Sequence, residues 1–248
     1  MNYTVIARLI IALGIYFFIR FFGGWIGELV MYPITLMVTY IHEFGHAVGG
    51  IISGGGVCSM ILKKDGTGFV DVAGGNTGVT LFGGYLGSIL FGNLMLFISI
   101  KWPRIAKFTL KFIAFSMAFT SIIWYSSVET TTMLILFAAL IYWICEKTQA
   151  HSELLMFLGI VCIAYIIQDF NIGETSDLKK YAEKYMMNSA QAWMIIWSIV
   201  TIAVTFLNVR FLAGGKNLAV DTSSNAKTKT REMKDTTDLN DQNTANYK

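Results

Sequence analysis

The residues with chemical potential are His42-Glu43-Phe44-Gly45-His46, which hold two of the chain's three histidines. On a helix, residues four apart share a face. His42 and His46 would then present two imidazole nitrogens to one cation. Glu43 sits about 100° round such a helix from His42. It is badly placed as a third ligand but well placed to reach a metal-bound water. Zinc held by three protein ligands, with one position open, lowers the pKa of its water to about 7. A carboxylate beside that water can take its proton and pass it to a leaving amine. Glu43 is therefore the candidate catalytic residue, and His42 and His46 are candidate zinc ligands.

The elements that must position these groups are membrane spans. Of 248 residues, 54% are hydrophobic and 14% charged, and mean hydropathy is +0.56. Soluble domains carry about 25% charged residues. Seven apolar segments approach the roughly 20 residues a span needs: 4–22, 28–52, 79–100, 105–125, 130–146, 153–170 and 190–213. The first, with Arg8 and Arg20 near its ends, reads as a retained span and not a cleaved leader. The expected fold is an all-α polytopic membrane protein of about seven transmembrane helices, integral and multi-pass, in the cell membrane. The basic 101–107 turn favours the cytoplasmic side, although Lys179, Lys180 and Lys184 would then lie outside, against the rule. The motif falls inside the second span, where an ionised group costs roughly 2–3 kcal/mol or more unless paired or metal-bound.

Between the second and third spans the composition changes. Residues 49–92 hold 14 of the 23 glycines. Val57–Leu62 and Thr67–Val72 flank Lys63-Lys64-Asp65-Gly66, and Asp-Gly between β-prone runs signals a hairpin. A short β-hairpin packed on, or dipping into, the membrane domain is expected, with a plain extramembrane loop as the alternative. Residues 1–215 form the membrane-embedded domain. Residues 216–248, which carry 11 of the 35 charged side chains, read as a polar disordered tail. Cys58, Cys145 and Cys162 lack metal or disulfide spacing. A net charge of +3 argues against nucleic acid as a partner. The expected partners are membrane lipid and a membrane protein or peptide substrate.

Three stretches carry a family resemblance: YIHEFGHAVGGIISGGGV, GTGFVDVAGG and GGYLGSILFGN, all within 40–95. They resemble the M50 intramembrane metalloproteases, relatives of the site-2 proteases, and in particular the M50B-like branch. QDFNIGETSDLKKYAEKY at 168–185 is a weaker match, and together these cover under half of the chain. The resemblance implies zinc and peptide-bond hydrolysis within or beside the bilayer. It also implies a hairpin whose strand edge presents substrate. The implied function is an intramembrane zinc endopeptidase, with Glu43 activating a zinc-bound water. The alternative is a non-catalytic membrane scaffold or regulator retaining the fold. A small transporter is a third reading, unsupported by any internal repeat.

The third ligand is not marked by a motif. The Asn-Pro…Leu-Asp-Gly context of better characterised site-2 proteases is missing, since proline occurs only at 33 and 103. Asp169 is the first choice, because it ends an apolar run where a lone carboxylate is costly. Counting crossings also puts it on the same side as His46. Asp177 is the runner-up, with helix capping as its plain explanation. Asp71 and Glu129 are weaker candidates. Gln168 and Asn171 are candidate supporting donors, and His151 reads as solvated.

Overall fold

The computed structural model describes residues 3–168, 176–185 and 189–214. The tail at 216–248 lies outside them, as do Asp169 and Asn171. The elements in chain order are α1 (Tyr3–Phe22), α2 (Gly24–Ile52), β1 (Gly55–Leu62), β2 (Gly68–Gly74), α3 (Thr77–Lys101), α4 (Ala106–Ile123), α5 (Val128–Lys147), α6 (His151–Gln168), α7 (Asp177–Lys184) and α8 (Ala190–Gly214). A 3₁₀ turn at Pro103–Ile105 leads into α4. Among the described residues, six helices are long and apolar enough to cross a membrane: α1, α2, α3, α4 with its leading turn, α5 and α8. The seventh expected span corresponds to α6, whose apolar part, His151–Ile166, is shorter. Its Leu155, Val161 and Cys162 are fully buried, so protein surrounds much of this helix. The chain is a multi-pass integral membrane protein with one hairpin between its second and third helices.

Glycine determines how closely the central helices approach. Because lipid tails are as apolar as leucine, helices in a bilayer gain contact chiefly through small residues. A Cβ on Gly45 would run into the Gly83 carbonyl, and one on Gly83 into the Gly45 carbonyl. A Cβ on Gly49 would sit 2.6 Å from the Val79 carbonyl oxygen. α2 thus packs closely on α3. Gly92 of α3 turns to α6: its Cβ would meet the Gly159 carbonyl at 3.1 Å. α3 therefore grips α2 on one face and α6 on another. Asn93 ties α3 to α8, donating to Thr205 Oγ1 at 3.2 Å and accepting from Asn208 Nδ2 at 3.0 Å.

The hairpin forms where Asp-Gly predicted it, slightly longer than expected. Asp65 Oδ1 accepts from the Thr67 amide and hydroxyl at 2.9 and 2.7 Å. Gly66 takes φ +87°, which an L side chain rarely adopts. One extra residue, Cys58, bulges β1 between Val57 and Ser59. The hairpin lies along α2. Thr39 Oγ1 donates to the Gly66 carbonyl at 2.7 Å, while Val72 packs against Gly50 nearer the helix end. Lipid cannot satisfy a strand's backbone, and on β1 protein does so. Met60 N–H donates to the Trp124 carbonyl at 3.0 Å, and Thr130 Oγ1 donates to the Leu62 carbonyl at 3.2 Å. Among the described residues, no backbone group outside the hairpin bonds to β2.

Gly49→Val forces a branched side chain into the α2–α3 contact. It is expected to destabilise the protein by about 1–3 kcal/mol, read as a lowered midpoint of thermal unfolding in detergent. Gly14, with nothing within 4 Å of an added Cβ, is the control. If Gly14→Ala lowers the midpoint as far as Gly49→Val, close helix approach is not what the glycine provides.

Candidate metal centre

α2 carries the motif without a break, so His42 and His46 lie one turn apart. Their rings sit edge to face with centroids 4.6 Å apart. His46 Nδ1 lies 2.7 Å from the Thr80 carbonyl oxygen in the first turn of α3. That oxygen can only accept, so Nδ1 carries the hydrogen and Nε2 of the neutral ring presents a lone pair. His46 Nε2 then faces His42 Nε2 at 3.0 Å. Tyr85 flanks the His42 ring at a centroid distance of 5.1 Å. Asn76 starts α3 at the right place for this, its Oδ1 accepting from the Gly78 amide at 2.9 Å.

The carboxylate that meets both imidazoles is Asp177. Its Oδ2 lies 2.9 Å from His46 Nε2 and 3.3 Å from His42 Nε2. Ser176 caps α7 by accepting from the Lys179 amide at 3.2 Å, which fixes Asp177 as the first residue of the helix. The capping explanation of this segment is therefore correct, and the residue also reaches the histidines. Leu178, 1% exposed, anchors α7 in a cluster with Tyr85, Ile89, Ile166 and Trp197. Tyr181 packs on Trp193 of α8 at 4.4 Å. Burial opposes ionisation of Asp177, but hydrogen bonds from the two imidazoles, when a proton lies between them and the carboxylate, outweigh burial and hold the carboxyl below the usual range.

His42, His46 and Asp177 can hold a metal ion, since their donor atoms all lie within 4.8 Å of one another. The local chemistry fits a cation. A carboxylate oxygen and the His46 lone pair face each other at hydrogen-bond distance, so a proton or a metal must lie between them. The backbone leaves room for it. A Cβ on Gly84 would press on both imidazoles, 2.8 Å from His42 Nε2. Glu43 is outside this ligand group, as its position round the helix requires. It is 6% exposed, and a Cβ on Gly68 would come within 2.7 Å of its Oε1. The start of β2 thus roofs the acid.

Asp169 and Asn171 are outside the described residues. Asp71 is exposed on β2. Glu129 pairs with Lys64 at 3.1 Å on the surface. His151 is not simply solvated: its Nε2 lies 2.8 Å from the Cys145 carbonyl oxygen, which accepts a bond from it.

A profile of Peptidase M50B-like proteins matches residues 7–208. The chain belongs to that family. The match extends well beyond the short motifs at 40–95 and 168–185 and takes in α1 and α8. As a member of a peptidase family it carries the membrane helices and a metal-competent cluster together. Comparison with the curated proteins gives no match, and comparison with the solved structures gives none.

Gly84→Ala places a methyl group against the two imidazoles. Bound divalent metal, read by elemental analysis of the purified protein, is expected to fall to about a tenth of wild type or less, the scale of supporting-residue effects on metal sites. Full occupancy in a folded Gly84→Ala protein would show that the ion does not sit between these rings.

Proposed function

We propose that this protein is an intramembrane zinc endopeptidase that hydrolyses peptide bonds of membrane-spanning or membrane-adjacent proteins. The observation that carries the proposal is the convergence of His42, His46 and Asp177 on one point, with Glu43 buried beside it and outside the ligand group. Two imidazoles and one carboxylate match the donor set of catalytic zinc in peptidases of unrelated folds. Zinc bound there supplies Lewis acidity that makes a water nucleophilic near neutral pH and polarises the scissile carbonyl.

The chain's own residues do the rest. Thr80 orients His46 through its carbonyl, which keeps the ring's other nitrogen available. Glu43 accepts the proton of the attacking water and delivers it to the amide nitrogen as the C–N bond breaks. The low-dielectric setting of Glu43 keeps stray water from competing. A transmembrane helix hides its peptide bonds, so the substrate must first be unwound. The outer edge of β2 offers an extended segment a strand to pair with, and Gly68 sets the beginning of that edge over Glu43. Membrane lipid surrounds the enzyme, and membrane protein is its substrate.

A carboxylate that reaches both histidines supports the peptidase reading over the scaffold alternative.

Glu43→Gln is expected to retain about one zinc per chain and to lose activity by about 100- to 10,000-fold. The assay is cleavage of a reporter transmembrane segment in proteoliposomes. His46→Ala and Asp177→Ala are expected to lose zinc and activity together, whereas Asp169→Ala keeps both. Cleavage by Glu43→Gln at the wild-type rate would reject the mechanism. Zinc lost on Asp169→Ala and kept on Asp177→Ala would reject the ligand set.

A further inference from the structure

The proposed mechanism leaves one cation at the site without a role. Lys180 lies one turn after Asp177 on α7, with its Nζ 3.5 Å from Asp177 Oδ1. That is the oxygen turned away from the histidines. The same ammonium stands 5.7 Å from the centre of the Phe69 ring on β2, the strand that starts over Glu43. Lys180 thus stands between the ligand helix and β2, the strand whose start covers Glu43.

Ordinary surface ion pairs on a helix contribute little to stability, so holding α7 together does not explain the placement. The contact to Asp177 is at the outer limit of hydrogen bonding, and an ammonium has three N–H donors. Among the described residues Asp177 is its ion-pair partner, and one such contact engages one of the three donors. The side chain is 42% exposed, so it is open to a bound peptide. An extended peptide alongside β2 would carry its backbone carbonyls past this point.

We propose that Lys180 is a further catalytic residue, donating a hydrogen bond to the scissile carbonyl oxygen as that oxygen gains negative charge. The assignment rests on the proteolytic reading above. Charge balance motivates it. Addition of water moves negative charge from Glu43, which takes the proton, to the carbonyl oxygen, where Asp177 stands as a like charge and a nearby cation is needed. A fixed cation in a partly dehydrated site does this with little reorganisation. In the step itself, water's oxygen bonds to the carbonyl carbon, and its proton passes to Glu43 and then to the leaving nitrogen. The C–N bond breaks, and Lys180 keeps its proton throughout.

The test compares zinc-loaded wild type, K180M and K180R in proteoliposomes. K180M is expected to lower kcat about 100- to 1,000-fold, the scale of losing one oxyanion donor, with KM within twofold and zinc retained. K180R, which keeps charge and donors, is expected to recover at least tenfold of that loss. In the inactive Glu43→Gln background, binding of an anionic phosphinic peptide should weaken on K180M while binding of the matching amide peptide does not. A kcat within threefold of wild type, a change in KM alone, or zinc loss in both Lys180 variants would overturn the assignment and leave the proteolytic reading standing. Wild type that neither cleaves the reporter nor binds the phosphinic peptide would remove that reading and this one with it.

Discussion

The central constraint is that a carboxylate and the lone-pair nitrogen of His46 point at one small volume. Left alone they repel, because each offers electron density and His46 has committed its hydrogen to the Thr80 carbonyl. A positive centre between them turns this repulsion into attraction. The rest of the architecture keeps these groups from relaxing apart. α2 fixes the imidazoles, the first turn of α3 fixes the ring of His46, and Leu178 holds α7 against the helices behind it.

Space is as important as charge. The site lies where α2 and α3 approach closely enough for Gly45 and Gly83 to meet carbonyl to Cα. One more glycine on α3, Gly84, leaves the volume into which the rings turn. The small residues that let the helices pack also make room for the chemistry. The hairpin adds a second layer: one strand is bonded to the α4–α5 connection, and the other remains open next to Glu43. Protein satisfies one edge of the hairpin and leaves the other available.

Much of this was legible in the sequence, where the signals are local. Helical periodicity alone puts His42 and His46 on one face and swings Glu43 away from them. Asp65-Gly66 marks the hairpin because few residues accept a positive φ. The third donor is a different matter, since it comes from more than a hundred residues away. Counting crossings points to the exit of α6, and Asp177 lies in the chain that follows it. Within that stretch the cost of charge in an apolar run puts Asp169 first, and it lies outside the described residues. Asp177 ranks second there because a helix cap already explains it. The cap is what fixes Asp177 at the first position of α7, and no sequence pattern records which way that position faces. The direction taken by Gly92, toward α6 and not α2, was hidden for the same reason, since a small residue does not name its neighbour.

The placement of the third donor on α7 bears on biosynthesis. The membrane receives this chain from its N-terminus, so the pair of imidazoles is in place long before residue 177 leaves the ribosome. A partly made molecule holds both rings and the acid but lacks Asp177, and so lacks the ligand set that the finished protein assembles. If the proposed activity holds, competence arrives late, when α7 docks against α3 and α8, and an immature chain is inert toward its neighbours in the bilayer.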